Sequence, residues 1–214
     1  MQTQFNIYLI VLAITFFFGL VRFSKLTSPF KLLLLLVSYV FISELIIRFV
    51  LPKVTENALP AYHFTVIVLI FLYTSIFLKL FTTEIKLKRI TLILAILLGT
   101  IALLNSLFYQ GILKFPSFSV AAQGILCISL SLMLFKKMIE TPSKTPLAKQ
   151  SLFWFNLGTL SFYSFTFISF IFYNEYKLEE MTYWLFYLNV IGNWVLYAFY
   201  LLSFYLNQKE IHER

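Results

Sequence analysis

The chain of 214 residues is 60% hydrophobic and 20% aromatic, with only 12% charged residues and a formal net charge of +8. A soluble domain is about a quarter charged, so this composition excludes a water-facing shell and makes a bilayer the expected solvent. The excess bases are spread over loops rather than gathered on one face, which argues against direct nucleic-acid binding and for membrane topology.

Apolar runs long enough to cross about 30 Å of hydrocarbon predict an all-α, polytopic membrane protein of seven transmembrane helices, forming one domain over 1–214. The first run, 5–23, follows "MQTQFN", which lacks a basic segment, and no small-residue cleavage site comes after it. It is expected to be a retained helix rather than a signal peptide. The second, 31–51, opens "KLLLLLVS" and ends "YVFISELIIRFVLP", with Glu44 and Arg48 inside an otherwise apolar stretch. At 1.5 Å per residue Glu44 lies roughly 10 Å inside the far end, with Arg48 one turn nearer it. Their i, i+4 spacing puts both on one face in the favourable order, Glu before Arg. Either charge alone in hydrocarbon costs about 2.5–3.5 kcal/mol, so both are expected to face the bundle interior or a wet cavity.

Helix three, 62–81, opens with Tyr62 and His63, and helix four, 89–109, carries Asn105 near its end. Helix five, 117–136, puts Gln123, Cys127 and Ser131 on one stripe; helix six, 151–173, does the same with Asn156, Thr159, Tyr163 and Thr166. Helix seven, 182–206, carries Asn189, Asn193 and Tyr197 at i, i+4 and i+8. Pro52 and Pro60 bracket the second loop, and Pro142 and Pro146 mark the fifth.

The loops alternate in charge. Loops one, three and five and the tail hold 13 of the 17 bases; Arg48, Lys53, Lys114 and Lys177 are left for the other side. The positive-inside rule then puts the N-terminus outside and the C-terminus in the cytoplasm. The acidic stretch "YNEYKLEEM" falls outside in this orientation.

With that orientation, the intramembrane polar groups cluster in the outer half. The expected site is an outward-facing pocket lined by Glu44, Arg48, His63, Asn105, Gln123, Tyr163, Asn189 and Asn193. The same groups could instead hold helices together, since Asn, Gln, Ser and Thr are common interhelical glue. The 26 Phe and 13 Tyr are read as lipid-facing bulk and interfacial belt.

Several chemistries are excluded. Cys127 is the one cysteine, every acid is Glu, and the histidines are His63 and His212, so disulfides, aspartate-dependent hydrolases and multi-histidine haem or zinc sites drop out. Residues 182–206 hold no Lys for a retinal Schiff base, and HExxH and GxSxG are absent. No cofactor or metal is expected. What remains for an intramembrane enzyme is Glu44 as general base, with His63 as a second candidate. A small transporter or an oligomeric channel-forming effector is the other alternative, although the mid-span glycines form no broken-helix pattern.

The segment "ISELIIRF", then Asn57, then "AYHF" opening the next helix, resembles a group of uncharacterised bacterial seven-helix membrane proteins over residues 30–80. That resemblance implies architecture and nothing more, since the group brings no established activity; a bacterial inner membrane is the expected location. The topology also resembles seven-helix sensor domains that precede bacterial signalling modules. The expected function is a receptor-like sensor whose output passes to a separate cytoplasmic signalling or effector protein docked on the basic inner loops.

Overall fold

A helix satisfies its own backbone N–H and C=O groups within one segment. Among the described residues seven long helices form and no strand occurs. The structure, a computed structural model, describes residues 2–55, 57–171 and 179–212. Most of "YNEYKLEEM", with Lys177 in it, lies outside the described residues, as does Arg214.

The helices are α1 (Gln2–Val21), α2 (Ser28–Val54), α3 (Leu59–Leu80), α4 (Ile85–Tyr109), α5 (Ser117–Glu140), α6 (Ser151–Ile171) and α7 (Glu179–His212). Among the described residues, α2, α3, α4, α5 and the segment Tyr187–Asn207 of α7 are long and apolar enough to cross a membrane. In α1 the apolar part is shorter, Asn6–Val21. Several helices outrun their apolar cores: α4 includes Lys86, Lys88 and Arg89, and α5 continues through Lys136 and Lys137 to Glu140. Apolarity marks where hydrocarbon would end, whereas the helix stops where its ladder is broken, here just before Pro142.

Two helices contain a wider turn. In α2 the π turn is Ile46–Val50, and in α4 it is Asn105–Tyr109. Pro52, expected in a loop, sits inside the last turns of α2. A proline ring collides with the carbonyl four residues back, and the π turn directly before Pro52 opens the spiral at that point. The chain therefore stays helical to Val54, and Glu44 lies ten residues, roughly 15 Å, inside the end of α2. Pro60 occupies the first turn of α3, where no N–H is needed. Beside it the Leu59 N–H donates to Asn57 Oδ1 at 2.8 Å, and Asn57 Nδ2 reaches the Leu113 carbonyl at 3.5 Å.

The helices close into a ring. Each packs on its neighbours in sequence, α7 returns to α1, and α3 also reaches α5 behind α4. This leaves α4 outermost. Large apolar side chains face outward, among them Phe71 at 69%, Ile96 at 68% and Phe108 at 80% exposure. Contiguous apolar exteriors of this kind do not suit water. The polar side chains Thr15, Thr91, Gln123, Ser131, Asn156 and Thr159 are buried instead.

One end of the bundle carries the N-terminus of α1 and loops two and four; the other gathers loops one, three and five. At the second end Asn207 Oδ1 accepts from the Thr27 N–H at 3.0 Å, and its Nδ2 donates to Ser151 Oγ at 3.4 Å. Bases there lie over ring faces, Arg22 on Phe18 at 4.4 Å and Lys31 on Phe23 at 5.1 Å.

The most extensive helix pair is α6 with α7. A Cβ on Gly158 would meet Phe199 Cβ at 3.0 Å and the Leu196 carbonyl oxygen at 3.4 Å, whereas one on Gly99 meets only Ile70 at 3.8 Å. Small residues allow such close approach between apolar helices. Gly158→Leu is expected to lower stability by about 1–3 kcal/mol relative to Gly99→Leu. Thermal midpoints of the two variants in the same detergent measure the difference; equal midpoints would show that the α6–α7 seam is not packed this closely.

Candidate functional site

Inside the ring, at the end where α1 begins, lies a cavity of about 550 Å³. Six helices contribute to its wall; α4 does not. From α2 come Glu44, Arg48 and Ser43, from α3 Thr65 and Tyr73, and from α5 Gln123. The last two helices add Tyr163, Asn189, Asn193 and Tyr197, and α1 adds Tyr8. Between these polar groups the wall is aliphatic and aromatic, with Leu36, Val66, Phe162 and Leu196 among its residues. Pockets that bind small molecules share this make-up, an apolar body with few convergent polar groups.

The carboxylate of Glu44 is held from two directions. Arg48 Nε donates to its Oε2 at 3.3 Å across one helical turn, and the Tyr8 hydroxyl on α1 donates to its Oε1 at 3.3 Å. Glu44 is the less exposed of the ion pair, 19% against 34% for Arg48, as its deeper position requires. A carboxylate offers about four acceptor positions, so both oxygens keep capacity after these two bonds.

Below lies a floor of tyrosines. Tyr8 and Tyr197 stand with ring centroids 6.0 Å apart, Tyr197 and Tyr200 at 6.1 Å, and Tyr73 and Tyr163 at 5.6 Å. The Tyr73 and Tyr200 hydroxyls bond each other at 2.9 Å, and Thr159 reaches Tyr200 at 2.9 Å. Higher in the wall, Gln123 Nε2 donates to the Tyr163 hydroxyl. Asn193 Nδ2 donates to both the carbonyl and the side-chain oxygen of Asn189, at 2.8 and 2.9 Å.

Six of the eight residues expected from sequence thus share one cavity: Glu44, Arg48, Gln123, Tyr163, Asn189 and Asn193. The structure places His63 and Asn105 elsewhere, in a second network between α3, α4 and α5. His63 Nδ1 bonds Ser106 Oγ at 2.7 Å, and its Nε2 bonds the Lys114 carbonyl at 2.9 Å. Asn105 Nδ2 donates to Gln110 Oε1 at 2.8 Å and to Ser119 Oγ at 3.0 Å. The π turn of α4 makes this possible, because it buries Asn105 and Ser106 while Leu107, Phe108 and Tyr109 stay exposed. With both ring nitrogens of His63 engaged away from the cavity, Glu44 and His63 form no acid–base pair. On α6 the polar stripe divides as well: Asn156 donates to the Ser131 carbonyl at 2.9 Å and Thr159 joins the tyrosine floor, leaving Tyr163 on the cavity.

Sequence reasoning passed over Tyr8, Ser43, Thr65 and Tyr73 as cavity residues, and left Tyr197 as the end of a stripe. Tyr8 has a signal, a phenol near the start of α1, the bundle end at which α2 carries Glu44, in a run otherwise rich in Phe, Leu and Ile. Tyr73 has none, since its inward direction depends on how α3 is turned in the ring.

Compared with family models, with curated proteins and with solved structures, the chain matches none. The functional reading therefore rests on this geometry.

The His63 network is expected to act on stability alone. His63→Ala leaves the Lys114 carbonyl without its His63 partner and removes one of the bonds of Ser106 Oγ, which keeps the Ala102 carbonyl, and should cost about 1–3 kcal/mol. The thermal midpoint in detergent reads that loss, while the reactivity of a thiol placed in the cavity at Ser43 should stay unchanged. A change in that reactivity would mean that the two networks are coupled.

Proposed function

We propose that the chain spans a bacterial inner membrane seven times, N-terminus outside and C-terminus in the cytoplasm, and senses a small ligand in the Glu44 cavity. The apolar exterior supports insertion. The bases of loops one, three and five meet at the end opposite the cavity, which supports the orientation. The observation that carries the reading is the Glu44–Arg48 pair on the wall of a 550 Å³ space assembled from six helices. Ionisable groups at such depth mark functional sites more often than structural ones.

One element supports signalling in particular. The helix α7 presents Asn189, Asn193 and Tyr197 to the cavity, and further along it presents Asn207 to loops one and five. A shift of α7 on occupancy would be felt at the basic end, where a separate cytoplasmic protein is the expected reader. A transporter is the second reading, favoured by the π turns in α2 and α4, since irregular helices accompany alternating access.

Both readings require an outward-opening cavity. In a Cys127→Ala background, Ser43→Cys should react with a membrane-impermeant methanethiosulfonate added outside intact cells, and Ser24→Cys in loop one should not. Inverted vesicles should reverse the pattern. Labelling of Ser43→Cys from the cytoplasmic side alone, or from neither side, sinks the outward cavity.

A further inference from the structure

We propose that the ligand of this cavity is a small organic cation, an ammonium group on a compact apolar body, with the ammonium at Glu44. The inference rests on the small-ligand reading above and adds the chemical class.

The first ground is which polar atoms the wall consumes internally. Both hydrogens of Asn193 Nδ2 are spent on Asn189, and Gln123 Nε2 spends one on the Tyr163 hydroxyl. The Thr65 hydroxyl donates to the Ala61 carbonyl at 2.9 Å, and the Tyr8 hydroxyl to Glu44. These bonds use donors and leave acceptor capacity on the Glu44, Gln123 and Asn193 side-chain oxygens. An ammonium brings only donors and no acceptor.

The second ground is charge. Glu44 is the one acid lining the cavity among the described residues, and it retains acceptor positions beyond Arg48 and Tyr8. Arg48 lies one turn nearer the end of the helix and is the more exposed partner, so its charge is the better screened. Glu44 is thus the less exposed of the two charges on the wall.

The third ground is the aromatic floor. Tyr8, Tyr197, Tyr73, Tyr163 and Phe162 come from four helices onto the space beside Glu44. Aromatic walls around a carboxylate recognise ammonium ions through ring quadrupoles while burying the attached apolar groups. An anion would meet the acceptor oxygens and the carboxylate. A neutral apolar molecule would leave Glu44 without gain.

Three probes of one size and different charge test this: phenylbutylamine, phenylbutanol and phenylbutyrate. The purified full chain in phosphatidylcholine nanodiscs is titrated near neutral pH by calorimetry, with empty nanodiscs subtracted. The amine should bind at least about tenfold tighter than the alcohol or the carboxylate, the factor expected of a hydrogen bond to a charged group. Glu44→Gln should remove that preference, bringing amine binding down to the level of the alcohol. Gln123→Glu, in which the Tyr163 hydroxyl can turn to donate, should tighten amine binding and serves if Glu44→Gln fails to fold. Equal binding of alcohol or carboxylate, or a preference that survives Glu44→Gln, overturns the cation and leaves the small-ligand cavity standing. Binding of none of the three overturns the cation as well. If Ser43→Cys is then also unreactive from outside, the cavity reading falls with it.

Discussion

A carboxylate ten residues inside a helix whose outer face is apolar has to be held from within the bundle, and the arrangement around Glu44 follows from that need. Its own helix supplies one partner at i+4. The second, Tyr8, must come from another helix, which ties α1 to α2 at this level. Removing either partner would leave a deeply placed charge short of compensation, a far larger loss than the pair is worth when intact. The carboxylate thus fixes which faces of α1 and α2 turn inward.

The remaining polar side chains fall into two kinds with different consequences. One kind is saturated within the protein: His63 with Ser106 and the Lys114 carbonyl, and Thr159 with the Phe155 carbonyl and Tyr200. These bonds lock helix to helix and have nothing left to offer a ligand. The other kind, Glu44, Gln123 and Asn193, is partly satisfied and borders open space. The physical distinction is spare acceptor capacity, which amino-acid type alone does not specify.

The two π turns separate these groups. In α4 the wide turn rotates Asn105 and Ser106 toward α5 and stabilises the corner at loop four, leaving α4 outside the cavity. In α2 it lets the helix run past Pro52, so that Arg48 sits on a continuous helix between Glu44 and the end. Each turn places polar side chains that a regular spiral would aim elsewhere. Meanwhile α7 runs unbroken through the cavity wall to the Asn207 knot, giving the bundle a stiff connection between its ends.

The number of helices and the alternation of basic loops were legible in the sequence, because apolar run length and loop charge are local properties read residue by residue along the chain. So was the shared face of Glu44 and Arg48, which follows from helical periodicity alone. The resemblance around "ISELIIRF", Asn57 and "AYHF" marked residues that the structure assigns to three separate tasks: cavity wall, capping of α3 and the loop-four lock. Tertiary structure alone decided that His63 and Asn105 turn away from Glu44 while Tyr8 and Tyr73 turn toward it. The reason is that position along a helix can be counted in the chain, but the rotation of each helix about its axis is set by packing against neighbours remote in sequence. Composition required that the polar groups be inside; only the assembled ring chose which of them face one another and which face the space between.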